Sequence, residues 1–355
     1  MSRVFVAMSG GVDSSVAAAL LAERGEDVVG VWMRLVPAGS SSDAPRCCGT
    51  DEAGEDARRA AGVLGIPFYA LDYADVFGKN VVDRFVDSYA AGETPNPCVA
   101  CNHYVKFEAL LRDVSAKFGA DRLATGHYAR VEHGERHRLL RARDAGKDQS
   151  YALYMLGQRE LSRLDLPVGE LADKAETRAI AARLGLPTAT KPDSQDICFI
   201  GGDYRGFVRE RAPEAFVPGP VERVDGTVVG EHGGIGTLTV GQRSGTGVAV
   251  GERMYVLRLD LDRRAAVVGT RDEVTSTSYE LRDVRFTNGA PSDRFRADVV
   301  LRYRGTPLAC SVDVQDDHAT LRLDEPALVA PGQAAVFYEG DEVLGGGVVA
   351  RVIQD

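Results

Sequence analysis

Apolar and polar positions follow two different rhythms, and the change of rhythm divides the chain. Residues 4–8 are a short apolar run that reads as a strand, 14–24 an Ala/Leu-rich helix closed by Gly25, and 28–35 the next strand. A polar loop over 37–51 leads to a helix at 53–64, and residues 65–71 start another strand. Apolar positions 105, 107, 110, 111, 114 and 118 recur at helical period, and 121–126 is a further strand ending in glycine. Residues 156–186 read as helical, broken at Pro167. Strands alternating with helices in this way predict an α/β fold with a Rossmann-like parallel sheet. Around Pro218 the texture changes to short alternating runs between glycine turns, such as "MYVLRLDLDRRAAVVGT" and "FRADVVLRYRG". The pattern predicts an N-terminal α/β domain over 1–212, a small β-rich linking domain over 213–275 and a C-terminal β-barrel over 276–355.

The length of 355 residues suits such a division, and the composition is that of an ordinary globular protein. A net charge of −10 argues against indiscriminate nucleic-acid binding and leaves room for a local basic patch. Between 130 and 147 lie Arg130, Arg136, Arg138, Arg141, Arg143 and Lys147, against three acids. A run of this kind is more often a solvated face than a phosphate site. Together with the 205–211 helix and Arg302/Arg304 it is the candidate basic track for a polyanion. No apolar run approaches the ~20 residues of a membrane span, and the N-terminus enters a strand without a basic region or cleavage site. These features predict a cytoplasmic protein with no membrane association, in which six cysteines are free, catalytic or metal-bound rather than structurally bridged.

The first strand runs directly into "SGGVDSS", Ser9 to Ser15. Gly10 and Gly11 permit turns closed to other residues and a close backbone approach to a ligand. Asp13 or Ser14 can begin the next helix, whose first N–H groups favour an anion. This is a phosphate cradle without the Gly-Lys-Ser/Thr of a Walker loop.

A second stretch, "TPNPCVACNHYVKF" from Thr94, holds Cys98 and Cys101 in a proline-rich turn. A Cys-x-x-Cys pair can be half of a metal site, a redox couple, or a nucleophile with a bystander. Asn102 reads as the N-cap of the helix beyond it, which would set the Cys101 sulfur near the positive helix end and favour thiolate. By itself Cys198, in the apolar run Ile197–Ile200, reads as a buried core cysteine, and so does Cys310 in its β run. Cys47 and Cys48, adjacent in the polar loop, read as an exposed pair.

"SGGVDSS" resembles the pyrophosphate loop of the ATP pyrophosphatases, which activate an oxygen by adenylation. "TPNPCVACN", "ATGHYAR", "KDQSYALYML" and "SQDICFIG", in that order, resemble the tRNA-specific 2-thiouridylases, and the likeness extends to "LRYRG" and "PGQAAVFY" near the C-terminus. Members of that family replace O2 of the wobble uridine with sulfur. The resemblance implies ATP and Mg²⁺ as cofactors, tRNA as substrate (the Lys, Glu and Gln acceptors), and an upstream cysteine desulfurase or sulfur-relay protein as partner. It implies that Ala7, Met8, Ser9, Gly10, Gly11, Val12, Asp13, Ser14, Ser15, Met33 and Gly126 bind ATP. Asn96, Pro97 and Cys98 would lie against the target base. His127, Lys147, Asp148, Gln149, Arg302, Tyr303 and Gln333 would contact the tRNA. Cys101 would be the nucleophile and Cys198 the persulfide carrier, the two joining in a transient disulfide, with no metal ligand. Some members carry Asp where this chain has Cys98, so no acid–base role is assigned to that position. Three other readings stay open at this point: an iron–sulfur thiolase ligated by Cys98, Cys101 and Cys198, a different adenylating synthetase in which the cysteines are incidental, and a non-catalytic RNA-binding protein whose nucleotide loop is vestigial.

Overall fold

The computed structural model describes residues 2–37, 49–192, 197–246 and 253–353. Strands β1 (Arg3–Ala7), β2 (Asp27–Arg34), β3 (Phe68–Asp72) and β4 (Arg122–Thr125) are parallel neighbours. After β4 the chain makes a hairpin of β5 (Ala129–Glu132) and β6 (Arg138–Arg141), then returns to the sheet as β7 (Leu164–Asp165). The sheet order is β3-β2-β1-β4-β7. Helix α1 (Val12–Glu23) follows β1, and α2 (Asp51–Leu64) is capped by Thr50, whose hydroxyl accepts from Ala53 N at 3.4 Å. One face of the sheet (Phe5, Ala7, Val29, Val31) packs on the 101–118 helical segment, and the other (Val4, Val6, Met8) packs on α1 and α2. A sheet buried on both faces explains why β1 and β2 are nearly continuous apolar runs rather than alternating ones.

Strands β8 (Gly219–Arg223), β9 (Val228–His232), β10 (Tyr255–Asp260) and β11 (Ala265–Gly269) form the small central sheet, in the order β10-β11-β8-β9. Strands β12 (Ser276–Phe286), β13 (Arg294–Val300), β14 (Leu308–Gln315), β15 (His318–Ala327), β16 (Ala334–Glu339) and β17 (Glu342–Val352) are antiparallel neighbours, and β12 pairs with β17 to close a barrel. The expected class therefore stands: a Rossmann-like parallel sheet, a linking β domain and a C-terminal barrel.

Two expectations need correction. Residues 156–186 are not a broken long helix. They hold a short helix at Gln158–Leu161, the two-residue strand β7, a 3-10 turn at Pro167–Glu170 and a helix at Lys174–Arg183. The 130–147 charge run is largely the β5–β6 hairpin, and β6 pairs with β17 of the barrel at Leu140–Glu342. The hairpin ties the first domain to the last. Leu139, Tyr151 and Tyr154 pack in one buried cluster with Val336, Tyr338 and Val343. Around them Tyr151 OH donates to Ala334 O at 2.8 Å, the hydroxyls of Ser150 and Tyr338 lie 3.1 Å apart, and the Arg141 guanidinium stacks on Tyr338 at 3.6 Å.

Because this cluster is shared, the nucleotide-side sheet and the barrel should melt together. Tyr338, 1% exposed, is its central ring, and Tyr338→Ala should cost about 3–5 kcal/mol, as large-to-small changes at buried aromatics do. Calorimetry should show one transition moved to lower temperature. A barrel transition that shifts while the other domain's stays in place would refute a common core.

Candidate active site

The loop after β1 builds its shape from its own side chains. Gly11 is the N-cap of α1, so the helix starts at Val12, earlier than Asp13 or Ser14. Gly10 has φ +72°, and a Cβ there would meet Ala53 O at 2.2 Å; the glycine is required by the turn and by the backbone of α2. Ser14 Oγ accepts from Ser9 N at 3.1 Å, and Ser15 Oγ donates to Gly11 O at 3.0 Å. Ser15 is fully buried, so it supports the loop from behind, whereas Ser9 is exposed. A Cβ on Gly126, just after β4, would come within 2.5 Å of Ser14 N, so only glycine lets the end of β4 approach the first turn of α1.

Between them lies a cavity of about 250 Å³ at the C-terminal edge of the sheet, where open α/β folds bind ligands. Seven of the expected nucleotide residues line it: Ala7, Met8, Ser9, Asp13, Ser14, Met33 and Gly126. Gly10, Gly11, Val12 and Ser15 shape the loop without lining the cavity. His127 and Gln149, expected as RNA contacts, line it as well. Gln149 is held there because its Oε1 accepts from Tyr128 N at 3.0 Å and its own N–H donates to Tyr128 O at 2.7 Å.

Three lysines that sequence reading passed over converge here. Lys174 Nζ lies 2.6 Å from Asp13 Oδ1, which also accepts from Tyr128 OH at 3.0 Å. Lys191 Nζ donates to Gly10 O at 3.0 Å and pairs with Asp56 at 2.6 Å. Lys106, on the cavity wall, donates to Asn102 Oδ1 at 2.8 Å. Cationic groups that a Walker loop carries within its own motif arrive from remote segments, and no local spacing announces them.

The cysteine turn departs from expectation in its capping. The N-cap is Asn96, whose Oδ1 accepts from Cys98 N at 3.1 Å and Val99 N at 3.4 Å, with Pro97 following. Asn102 lies inside the helix and is 1% exposed, its Nδ2 donating to Ala152 O at 2.8 Å. The helix starts at Pro97, so Cys101 sits more than a turn in and the positive end faces Cys98. Cys98 is exposed, Cys101 buried and Cys198 half-buried; the last two belong to one apolar cluster. Among the described residues no three His, Cys, Asp or Glu side chains are gathered as metal ligands. Cys310 is a core residue as expected, its thiol pushed up to about 12 by burial. Cys47, Cys48 and the "SQD" of the fourth motif lie outside the described residues.

The other expected RNA contacts divide into two groups. Asp148 and Tyr303 line a second cavity of about 270 Å³, with Arg304 and Tyr338. Lys147 precedes Asp148, and exposed Arg302 precedes Tyr303. Asp148 itself is occupied: it accepts from Ala142 N, Ser150 N and Ser150 Oγ at 3.0, 3.2 and 2.9 Å, and pairs with Arg141 at 3.2 Å. Gln333 donates to Thr94 O at 2.7 Å, so it clamps the cysteine turn to the barrel.

Comparison with known proteins follows the same three-part division. Residues 2–202 match a tRNA methyl transferase HUP domain, 205–270 a tRNA methyl transferase PRC-barrel domain and 276–349 an aminomethyltransferase beta-barrel domain. The chain is 47% identical to the tRNA-specific 2-thiouridylase MnmA of Chloroflexus aurantiacus over 99% of each chain. Identity to the protein of that name from Roseiflexus castenholzii is 44%, over 99% of this chain and all of the relative. For Moorella thermoacetica it is 45%, over 98% and 99%.

Burial first, and then the charge of Lys106, hold the His127 imidazole well below its ordinary range. Its Nδ1 lies 2.7 Å from Thr125 Oγ1. Between the lowered value and about 6.5 the unfolded chain binds a proton that the native state refuses. Stability therefore rises with pH across that window and is lost as pH falls below about 6.5. The thermal midpoint should drop on acidification from about pH 7 to 5.5, and His127→Gln should flatten the decline. His103 and His232, also lowered by burial, should keep the rest of it. An unchanged slope in the variant would mean that the His127 ring is not held neutral.

Proposed function

The chain belongs to the tRNA-specific 2-thiouridylase family, and from that membership we propose that it is a sulfurtransferase that converts the wobble uridine of tRNA to 2-thiouridine with ATP. The observation that carries this reading is the shared wall of the cavity. Loop and strand-end residues suited to a nucleotide meet His127 and Gln149 there, on the side from which RNA would enter. Adenylation demands that geometry, because the base oxygen must reach the α-phosphate. The pyrophosphate loop and the cysteines favour thiolation over the methyl transfer named in the family-model descriptions.

In the proposed reaction, O2 of uracil attacks the α-phosphate and pyrophosphate leaves. AMP then replaces a poor leaving group at C2. The terminal sulfur of a Cys198 persulfide attacks C2 and expels AMP. Cys101 attacks the Cys198 sulfur, giving a Cys101–Cys198 disulfide and releasing thiolated uridine; alternatively Cys101 attacks first and frees hydrosulfide for C2. Asn96, Pro97 and Cys98 would abut the base, and Lys147, Asp148, Arg302, Tyr303 and Gln333 would form or brace the RNA-facing rim. Lys106, Lys174 and Lys191 would balance phosphate charge. Asp13 is the one carboxylate lining the cavity among the described residues, a sparse set that suits a magnesium ion held mainly by phosphates and water. The ion would supply charge neutralisation on the phosphates.

The Lys, Glu and Gln tRNAs are the proposed substrates, a cysteine desulfurase or relay protein the sulfur source, and the cytoplasm the setting. Among the described residues no helix is long and apolar enough to cross a membrane. We draw the units at 1–212, 213–275 and 276–355, because Val208 and Ala212 pack with Phe85 and Tyr89 of the first domain.

Labelled ATP incubated with tRNA and a sulfur source should give AMP and pyrophosphate; ADP as the stoichiometric product would sink the reading. Asp13→Ala and Lys174→Met should each lower kcat/KM for ATP by roughly 10²-fold, the scale for losing one phosphate-charge partner. Cys101→Ser and Cys198→Ser should abolish thiolation while ATP–pyrophosphate exchange survives. Cys98→Ser should retain substantial activity. Equal loss in all three cysteine variants, with iron in the wild type, would favour a cluster enzyme.

A further inference from the structure

The expected basic track over 130–147 is largely neutralised. Arg130 pairs with Asp341 at 3.4 Å, Arg138 with Glu132 and Glu342 at 2.8 Å each, Arg141 with Asp148 at 3.2 Å and Arg143 with Glu170 at 3.0 Å. Uncommitted guanidinium groups lie elsewhere. A cleft of about 180 Å³ opens between the helical stretch over 78–90 and strand β12, and Asn96 and Pro97 form part of its wall. Three arginines line it: Arg84, Arg282 and Arg285. Arg282 engages both carboxylates of the cleft, Glu93 at 2.8 Å and Asp283 at 3.6 Å. Arg84 and Arg285 are exposed and make no ion pair among the described residues. Arg84 is oriented by stacking on Tyr104 at 4.5 Å.

We propose that Arg84 and Arg285 grip a backbone phosphate of the tRNA, from a nucleotide flanking the target uridine, in this cleft beside Asn96 and Pro97. In a chain of net charge −10, an unpaired guanidinium pair facing a concavity is the arrangement that selects a phosphate, since each group offers a planar fork of donors. His103 stands in the same cleft, and burial first, then Arg285 and Arg84 among its neighbours, lower its pKa. Its neutral ring adds hydrogen-bonding capacity without a competing charge. The position is functionally economical: the turn expected to hold the base and the phosphate grip share one wall, so seating the backbone aims the base.

The inference rests on the tRNA reading above, and the test separates the two. Binding of tRNA to full-length protein should be followed against salt for wild type, Arg84→Gln, Arg285→Gln and the double variant, with thermal midpoints checking the fold. Losing one phosphate contact should flatten the log K against log salt slope by roughly 0.7–0.9 and weaken binding about tenfold or more. KM for tRNA should rise while KM for ATP stays. A slope equal to wild type in the double variant overturns the phosphate grip. A defect that appears with a protein sulfur donor and vanishes when free sulfide replaces it also overturns it, and makes the cleft a docking face for an acidic carrier protein. If wild-type protein neither binds nor thiolates tRNA, the functional reading fails along with the inference.

Discussion

The packing of Tyr151 and Tyr154 against Val336, Tyr338 and Val343 is the contact on which the rest of the arrangement depends. It joins the segment that supplies Gln149 to one cavity with the barrel that supplies Tyr303 to the rim of the other. Both rims are thereby referenced to one rigid, solvent-excluded body. Two polar ties reinforce the same seam, Gln333 to Thr94 and Thr94 N to Pro331 O at 2.8 Å, while Asn102 to Ala152 fastens the cysteine helix to the tyrosine segment within the first domain. A barrel held only by a linker would leave the cysteine turn without its far wall.

The seam also revises what individual motif residues do. In "KDQSYALYML", Gln149 lines the first cavity, whereas Asp148, Ser150 and Tyr151 commit their polar groups to locking the loop to itself and to the barrel. Gln333 is similar, with its amide committed to the cysteine turn. A residue can matter to RNA binding by fixing the surface that binds, and deletion of such a residue affects several contacts together. Among the arginines the same distinction holds: Arg130, Arg138 and Arg141 on the hairpin strands are paired with acids and stiffen the junction, whereas Arg84 and Arg285 keep their charge available.

Much of this was legible from sequence because the informative patterns were local. The parallel sheet followed from apolar runs alternating with helices, and the tight turn between β1 and α1 from its glycines and serines. What escaped was set by long-range pairing. Strand β7 has only Leu164 and Asp165, too short for any periodicity. The β5–β6 hairpin looked like a charge run because its arginines are matched by acids up to 211 residues away, as Arg130 is by Asp341. Lys174 reaches Asp13 across 161 residues. The Asn102 cap was misread because Asn96 already performs that task and Pro97 suits the first helical position, while a buried asparagine inside a helix is satisfied by a distant carbonyl that no local pattern reveals.

The segment from Pro97 to Phe118 then explains how two chemistries can be kept in register. Val99, Ala100, His103 and Tyr104 face the arginine cleft, whereas Lys106 faces the nucleotide cavity and Asn102 holds it. Cys101, buried between these faces, begins a stretch over Cys101–Leu110 with the wider i→i+5 hydrogen-bond pattern. Such widening is rare and frequently accompanies functional sites, because it re-phases the side chains that follow. Here it turns Lys106 toward the cavity after His103 has faced the cleft. One continuous rod thus spans from the arginine cleft, past the buried Cys101, to the cavity at the ends of β1 and β4. Any displacement of the rod at the cleft end therefore carries Cys101 and Lys106 with it.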